Sequence, residues 1–250
     1  MYHTTGLTRD RIVDVCAMIH SATSGEKQVW PPILGLFKSV VTTLTYLRRN
    51  RVQAELAENY EVSQPTISRA ITAITPLVSR VLDQYVPTAE QLDEQTQYIV
   101  DGTLLPCWSW SAHPDLYSGK HKTTGMNVQV ACTLSGDLAW VSDPVAGRHH
   151  DNYGFKKSGV LVTLEPSNWI GDSAYVGNNM ITHIKKPPYR QLLDWEKEFN
   201  RQVSKMRWII EQAIANLKTW RILHTDYRRP IATFAATLST VVALYFYAAS

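Results

Sequence analysis

The hydrophobic period changes near residue 90, and that change limits what the chain can fold into. Up to about residue 85, apolar side chains recur at helical spacing, as in Leu34, Phe37, Val40, Val41, Leu44 and Leu47. From about residue 96, short apolar or alternating runs take over: Tyr98-Ile99-Val100, Met126 to Thr133, Leu138 to Val141, and Asn168-Trp169-Ile170. A helical pattern returns over residues 190–222. Helices first, then strands mixed with helix, predict a small all-α domain over 1–90 and an α/β domain over 96–250. Val86-Pro87-Thr88-Ala89-Glu90 would link them. Composition allows both, since 44% apolar residues can fill a core and 19% charged residues are too few for a disordered tail.

Within the N-terminal region, the stretch from Arg51 to Tyr60 reads as a short helix, followed by Glu61-Val62-Ser63 and a second helix opening on Gln64-Pro65-Thr66-Ile67. Ser63 suits an N-cap and Pro65 is tolerated in a first helical turn. Leu56, Ala57, Val62, Ile67 and Ile71 would form the shared core. A helix, a tight turn and a second helix is the arrangement that lays a recognition helix in a major groove. Gln64, Thr66, Ser68 and Arg69 would then point outward, and all four are base-reading residue types. A helical hairpin with a solvated polar face has the same pattern. The net charge of +3 permits a nucleic-acid partner without requiring one, and the cations are clustered: Arg48, Arg49 and Arg51; Lys120 and Lys122; Arg221, Arg228 and Arg229.

In the α/β region, a pair of acids share a local context. Asp101 and Asp172 each follow a short apolar run and precede a small residue, in Val100-Asp101-Gly102-Thr103 and Gly171-Asp172-Ser173-Ala174. Asp-Gly is also a turn signal, and Asp before Ser-Ala is also a helix N-cap. Glu211 is marked by its neighbours. Placed on a helix at ~100° per residue, Ser204, Arg207, Glu211 and Lys218 fall within ~60° of one another. Met206, Ile210, Ala213, Ile214 and Leu217 cluster on an adjoining face. An Arg207–Glu211 pair alone would be an ordinary surface contact, but Lys218 lies too far along the helix to belong to it.

These residues resemble those of DDE-type insertion-sequence transposases over nearly the whole chain. The motifs are the helix-turn-helix, Tyr98 to Thr103, Tyr117-Ser118-Gly119-Lys120-His121-Lys122, Gly147-Arg148-His149-His150-Asp151, Gly171 to Tyr175, and the trio Arg207, Glu211 and Lys218. The resemblance implies a ribonuclease-H-like mixed sheet flanked by helices, with catalytic and metal-holding roles for Asp101, Asp172 and Glu211. It implies two Mg²⁺ or Mn²⁺ ions, which suit carboxylate ligands and stabilise both oxygens of an in-line phosphodiester displacement. Cleavage and strand transfer of the element's own DNA would follow, on double-stranded DNA at its ends and at a target. The assembly on DNA would be a homodimer or larger. A DNA-binding regulator without catalysis, or a domesticated nuclease of the same fold, shares these features. Where relatives often carry a tyrosine three residues before the arginine stands Ser204. The interval from Asp172 to Glu211 is too short for the insertion domain of some relatives.

The remaining segments complete the expectation. Lys120, Lys122, Arg207 and Lys218 are candidate phosphate contacts. Asp151 is expected to cap the helix that follows the third strand. Trp108 and Trp110, flanking Ser109, are read as packing residues. Cys16, Cys107 and Cys132 form neither a zinc pattern nor a redox pair. That fits a reducing compartment, and the opening residues carry no signal-peptide pattern, so a cytoplasmic, nucleoid-associated location is expected. Residues 231–250 are uncharged and near membrane-spanning length, yet they are alanine- and threonine-rich. They read better as a packed core helix, and no membrane partner is expected.

Overall fold

The computed structural model describes residues 2–108 and 112–250, so Ser109 and Trp110 lie outside the described residues. The chain divides into two compact units: Met1–Val86 together with Leu217–Ser250, and Pro87–Asn216.

The first unit is helical. It contains α1 (Tyr2–Thr5), α2 (Arg9–Ala22), α3 (Gly35–Arg49), α4 (Gln53–Asn59) and α5 (Gln64–Leu82). The helix α2 starts where the Thr8 hydroxyl accepts from the Arg11 backbone N–H. The helix α3 stops where Asn50 turns into the left-handed region at φ 48°, a conformation asparagine tolerates. Leu56, Ala57, Ile67 and Ile71 are buried as the pattern predicts, and Val62 is half-buried. Ser63 occupies the N-cap position of α5 but makes no backbone cap. Its hydroxyl meets Thr66 Oγ1 at 2.9 Å instead. That contact corrects one expectation, because Thr66 is only 6% exposed and turns toward the helix start rather than outward.

The C-terminal segment also departs from the expected domain limits. Residues 217–250 cluster with the N-terminal helices in the first unit, whereas the sequence pattern joined them to the α/β domain. Their main element, α9 (Phe234–Ala249), buries Phe234, Leu238, Val241, Leu244 and Tyr247, each such side chain contributing roughly 1.5–3 kcal/mol. Thr240 Oγ1 donates to the Thr75 carbonyl of α5 at 2.9 Å. The stretch Ile231–Ala249 is apolar enough to cross a membrane, and half of it is buried here. Its composition is therefore accounted for by its place in the core of this unit.

The second unit holds the sheet. Its strands are β1 (Tyr98–Pro106), β2 (Tyr117–Ser118), β3 (Thr123–Thr133), β4 (Leu138–Val141) and β5 (Val145–Ala146). Its helices are α6 (Asp151–Lys157), α7 (Val160–Thr163) and α8 (Asp194–Leu217). β1 and β3 pair antiparallel with Asp101 opposite Val130 and Gly102 opposite Gln129, and β3 continues antiparallel into β4. On the other side of β1 the chain returns parallel, through bridges Ile99–Ile170 and Ile170–Ile181. An antiparallel meander extended by parallel returns is the mixed, ribonuclease-H-like α/β arrangement. Tyr98, Val100, Ala131, Phe155, Trp169 and Tyr175 fill the core on one face of the sheet. Trp108 is 56% exposed, so it does not pack as the sequence suggested. The first strand runs well past Asp101, which excludes a turn at Asp101-Gly102.

Candidate active site

The parallel bridge explains how two acids far apart in sequence meet. Ile170 N–H donates to the Tyr98 carbonyl at 2.8 Å, and Val100 N–H donates to the Ile170 carbonyl at 2.9 Å. Asp101 and Asp172 each lie two residues beyond the paired isoleucines, Ile99 and Ile170. Side chains two residues apart share a face, so this register places both carboxylates on the same side. Asp172 also caps the turn that follows it, accepting from Ala174 N–H at 2.7 Å. Its cap and its place in the site are thus not alternatives.

Asp101 faces α8. Arg207 Nη2 donates to its Oδ2 at 3.2 Å, and Gly102 N–H donates to its Oδ1 at 2.9 Å. Burial raises the Asp101 pKa above the usual carboxylate range; Arg207 opposes this and the charge of Asp172 adds to it. Arg207 Nε is buried without a hydrogen-bond partner.

A second group of polar residues lies on the other face of β1, behind Gly102. Asp151, at the first position of α6, is 4% exposed. It does not cap the helix as expected, since His150 takes that position. Instead Asp151 Oδ2 accepts from Lys120 Nζ and Oδ1 accepts from Asn127 Nδ2, both at 2.8 Å. Gln129 Nε2 donates to Asn127 Oδ1 at 3.1 Å, and the Tyr175 hydroxyl donates to Gln129 Oε1. The result is a buried chain of hydrogen bonds from Tyr175 to Lys120. Lys120 is held protonated, chiefly by its bond to Asp151 and further by the charges of Asp151, Asp172 and Asp101, against the effect of burial. Tyr175 is pushed well above its ordinary range by burial and the same three acids, so it acts as a donor.

A cleft of about 480 Å³ opens over this region, lined by Lys120, His121, Arg148, His150, Asp151 and Asp172 among others. Lys120 and Arg148 give the cleft a basic border, and of its two carboxylates Asp151 is taken up by Lys120 and Asn127, leaving Asp172. His149 stacks on Tyr153 with ring centroids 3.9 Å apart, so its ring is engaged in packing.

The sequence-predicted residues therefore divide. Asp101, Asp172 and Arg207 come together, while Lys120 joins Asp151 and feels the charges of Asp172 and Asp101 from there. Lys122 is exposed on the same loop as Lys120. Glu211 is exposed on α8, one turn after Arg207. Among the described residues, no three His, Cys, Asp or Glu side chains converge closely enough to hold an ion. Asp101 and Asp172 nevertheless suit a hard divalent cation, being all-oxygen donors whose mutual repulsion a cation would relieve. The helix α8 ends at Leu217, so the polar line of Ser204, Arg207 and Glu211 does not extend to Lys218 within it. Lys218 is half-buried just beyond, its amine lowered by burial. Ser204 Oγ lies 2.9 Å from His183 Nε2. Sequence reasoning missed Asn127 and Gln129. Their signal was two polar residues at alternating positions in an otherwise apolar strand.

A family model described as the DDE superfamily endonuclease matches residues 100–245, which include Asp101, Asp172 and Glu211. The chain belongs to the DDE superfamily endonucleases. A second model, the helix-turn-helix of DDE superfamily endonucleases, matches residues 33–84, the span of α3, α4 and α5. The two models, with the relatives that follow, place the chain with the DDE-type insertion-sequence transposases. A protein of Streptomyces albus G described as a transposase for insertion sequence element IS112 is 27% identical over 77% of this chain and 73% of its own length. One of Microchaete diplosiphon described as a transposase for insertion sequence element IS702 is 24% identical over 86% of this chain and 82% of its own length. No solved structure matches significantly.

Proposed function

We propose that this chain is an active transposase: it binds the ends of its insertion sequence and cleaves and rejoins DNA there in a metal-dependent reaction. The observation that supports this reading is the parallel register at Ile99 and Ile170, which brings Asp101 and Asp172 to one side of the sheet, with Asp172 also at the wall of the basic cleft. Asp101, Asp172 and Glu211 hold the ions. Glu211 enters because Arg207, one turn earlier on the same helix, already reaches Asp101, and residues four apart share a helix face. Two Mg²⁺ or Mn²⁺ ions, when bound, supply electrostatic stabilisation of the attacking and leaving oxygens.

The chain's own groups bind and orient the DNA. Lys120 at the cleft wall and Lys122, exposed on the same loop, hold its phosphates, and Arg207 on α8 and Lys218 are separate phosphate contacts. Gln64, Ser68 and Arg69 read the groove from α5, while Thr66 fixes the start of that helix by accepting from Arg69 Nη2 at 3.3 Å.

The test uses duplexes carrying the element's own ends. With Mg²⁺ the wild-type chain nicks them, and EDTA stops nicking without releasing the DNA. Glu211→Gln is expected to lower cleavage by at least ~100-fold with end binding unchanged. Retained cleavage would remove Glu211 from the site. Arg69→Ala is expected to weaken end binding by about tenfold in a band-shift titration, the scale of one lost base contact. A wild-type chain that binds ends but never cleaves them is instead a regulator, a reading that the exposure of Glu211 favours.

A further inference from the structure

We infer that the loop before the last helix belongs to the DNA-contacting surface: Arg228 and Arg229 each hold a backbone phosphate of duplex DNA at the flank of α5. This rests on the reading of α4 and α5 as a DNA-binding helix-turn-helix. The two arginines fall within the stretch matched by the endonuclease model, yet they fold into the helical unit.

Four observations place them. A cleft of about 200 Å³ is lined by Asn50, Arg51, Gln53, Gln64, Arg228 and Arg229 among others, and no carboxylate lines it. Gln64 Nε2 donates to Gln53 Oε1 at 2.7 Å, so one wall of the cleft is the joined starts of α4 and α5. Asn50 Nδ2 donates to Thr225 Oγ1 at 2.7 Å and to the Asp226 carbonyl at 3.2 Å, which fixes the loop against the end of α3. Arg229 Nη2 donates to Thr72 Oγ1 at 2.7 Å, and Thr72 lies one turn beyond Ser68 and two beyond Gln64. Arg229 therefore lies against the polar ridge of α5 that carries two of the proposed groove-reading residues.

The loop is held from below as well. Tyr227 is fully buried, and its hydroxyl meets Thr233 Oγ1 at 2.7 Å and Thr237 Oγ1 at 3.0 Å. Of the three guanidinium groups only Arg51 has an acid beside it, Glu55 at 3.1 Å, and that pair is largely exposed. Arg228 and Arg229 thus present positive charge to a cleft with no counter-ion of its own. Guanidinium forks match phosphate oxygens, and a recognition helix in a major groove brings backbone phosphates to its flanks.

The test is fluorescence anisotropy with a short labelled duplex of mixed sequence, titrated with the full chain across a salt series. The wild-type affinity falls with salt, and each phosphate contact contributes about 0.9 to the logarithmic slope. Arg228→Ala with Arg229→Ala is expected to flatten the slope by about 1 to 2 and weaken binding by roughly tenfold. Replacing both by lysine should keep most of the slope. Loss of the Arg229–Thr72 bond can perturb the loop, so Arg228→Ala alone, at an exposed position, is the second variant. It should flatten the slope by about 1 at an unchanged melting temperature. Salt-dependent wild-type binding with an unaltered slope in both alanine variants overturns this assignment and leaves the helix-turn-helix reading intact. A wild-type chain that binds no duplex overturns both.

Discussion

Replacing Asp101 or Asp172 by asparagine is expected to reduce DNA cleavage on the order of 10³-fold or more, since groups that act as one unit fail together. Asparagine keeps the shape of the side chain and removes the charge that a divalent cation needs. The two variants should differ in stability. Asp101 pays for burial more than it gains from Arg207, so its ionised form weakens the fold. The sign follows: with the folded pKa raised, this group favours the native state when protonated, and that contribution is lost as pH rises through the folded value. Asp101→Asn removes this cost but leaves Arg207 without its anion, two opposed effects that should hold the melting temperature within about 3 °C of wild type. Asp172→Asn breaks no ion pair. Added Mg²⁺ should raise the wild-type melting temperature through ligand linkage, and neither variant should respond as wild type does. An equal Mg²⁺-induced rise in all three proteins would show that these acids do not hold the ion.

Gly102→Ala is the second change with a large expected effect. A Cβ there would lie 2.2 Å from Asp151 Oδ1 and 2.5 Å from its Cγ. Asp151 cannot swing aside easily, because Lys120 and Asn127 each hold one of its oxygens. Either β1 shifts, moving Asp101 with it, or the buried carboxylate loses its partners. Overpacking of this kind costs about 1–3 kcal/mol, a fall in melting temperature of roughly 3–10 °C for a chain this long. Cleavage should fall as well, since Asp101 is the next residue. Asp151→Ala in the same chain should recover some of the lost stability, giving an interaction energy of about 1 kcal/mol or more in a double-mutant cycle. A Gly102→Ala protein that melts and cleaves as wild type would mean that this close approach has no consequence.

How much of this was legible beforehand differs from residue to residue. Val100-Asp101 and Ile170-Gly171-Asp172 could be read as acids following apolar runs, because strand propensity and flanking residues are local. That Asp101 lies within its strand was not legible. Gly102 reads as a turn residue until Asp151, distant in sequence, supplies the reason for a missing side chain. Asp151 reads locally as a cap, since an acid at a helix start has that explanation. Its bonds to Lys120 and Asn127 depend on β3 and the preceding loop. The arrangement of α4 and α5 was legible from caps and spacing, but the inward turn of Thr66 depends on a single hydroxyl pair. An uncharged run rich in alanine and threonine points to α9 as a packed helix; composition cannot say which unit receives it.

That last point bears on the order in which the protein is made. The α/β unit is an insertion within the helical one, flanked on both sides by chain that belongs to the helical unit. A ribosome that has completed Asn216 has synthesised all of the α/β unit, while α5 still waits for the helix that packs against it. A copy of the gene broken by a late stop codon would release a chain whose helical unit lacks the helix that covers α5. Such a fragment would expose the face of α5 that α9 covers in the whole chain.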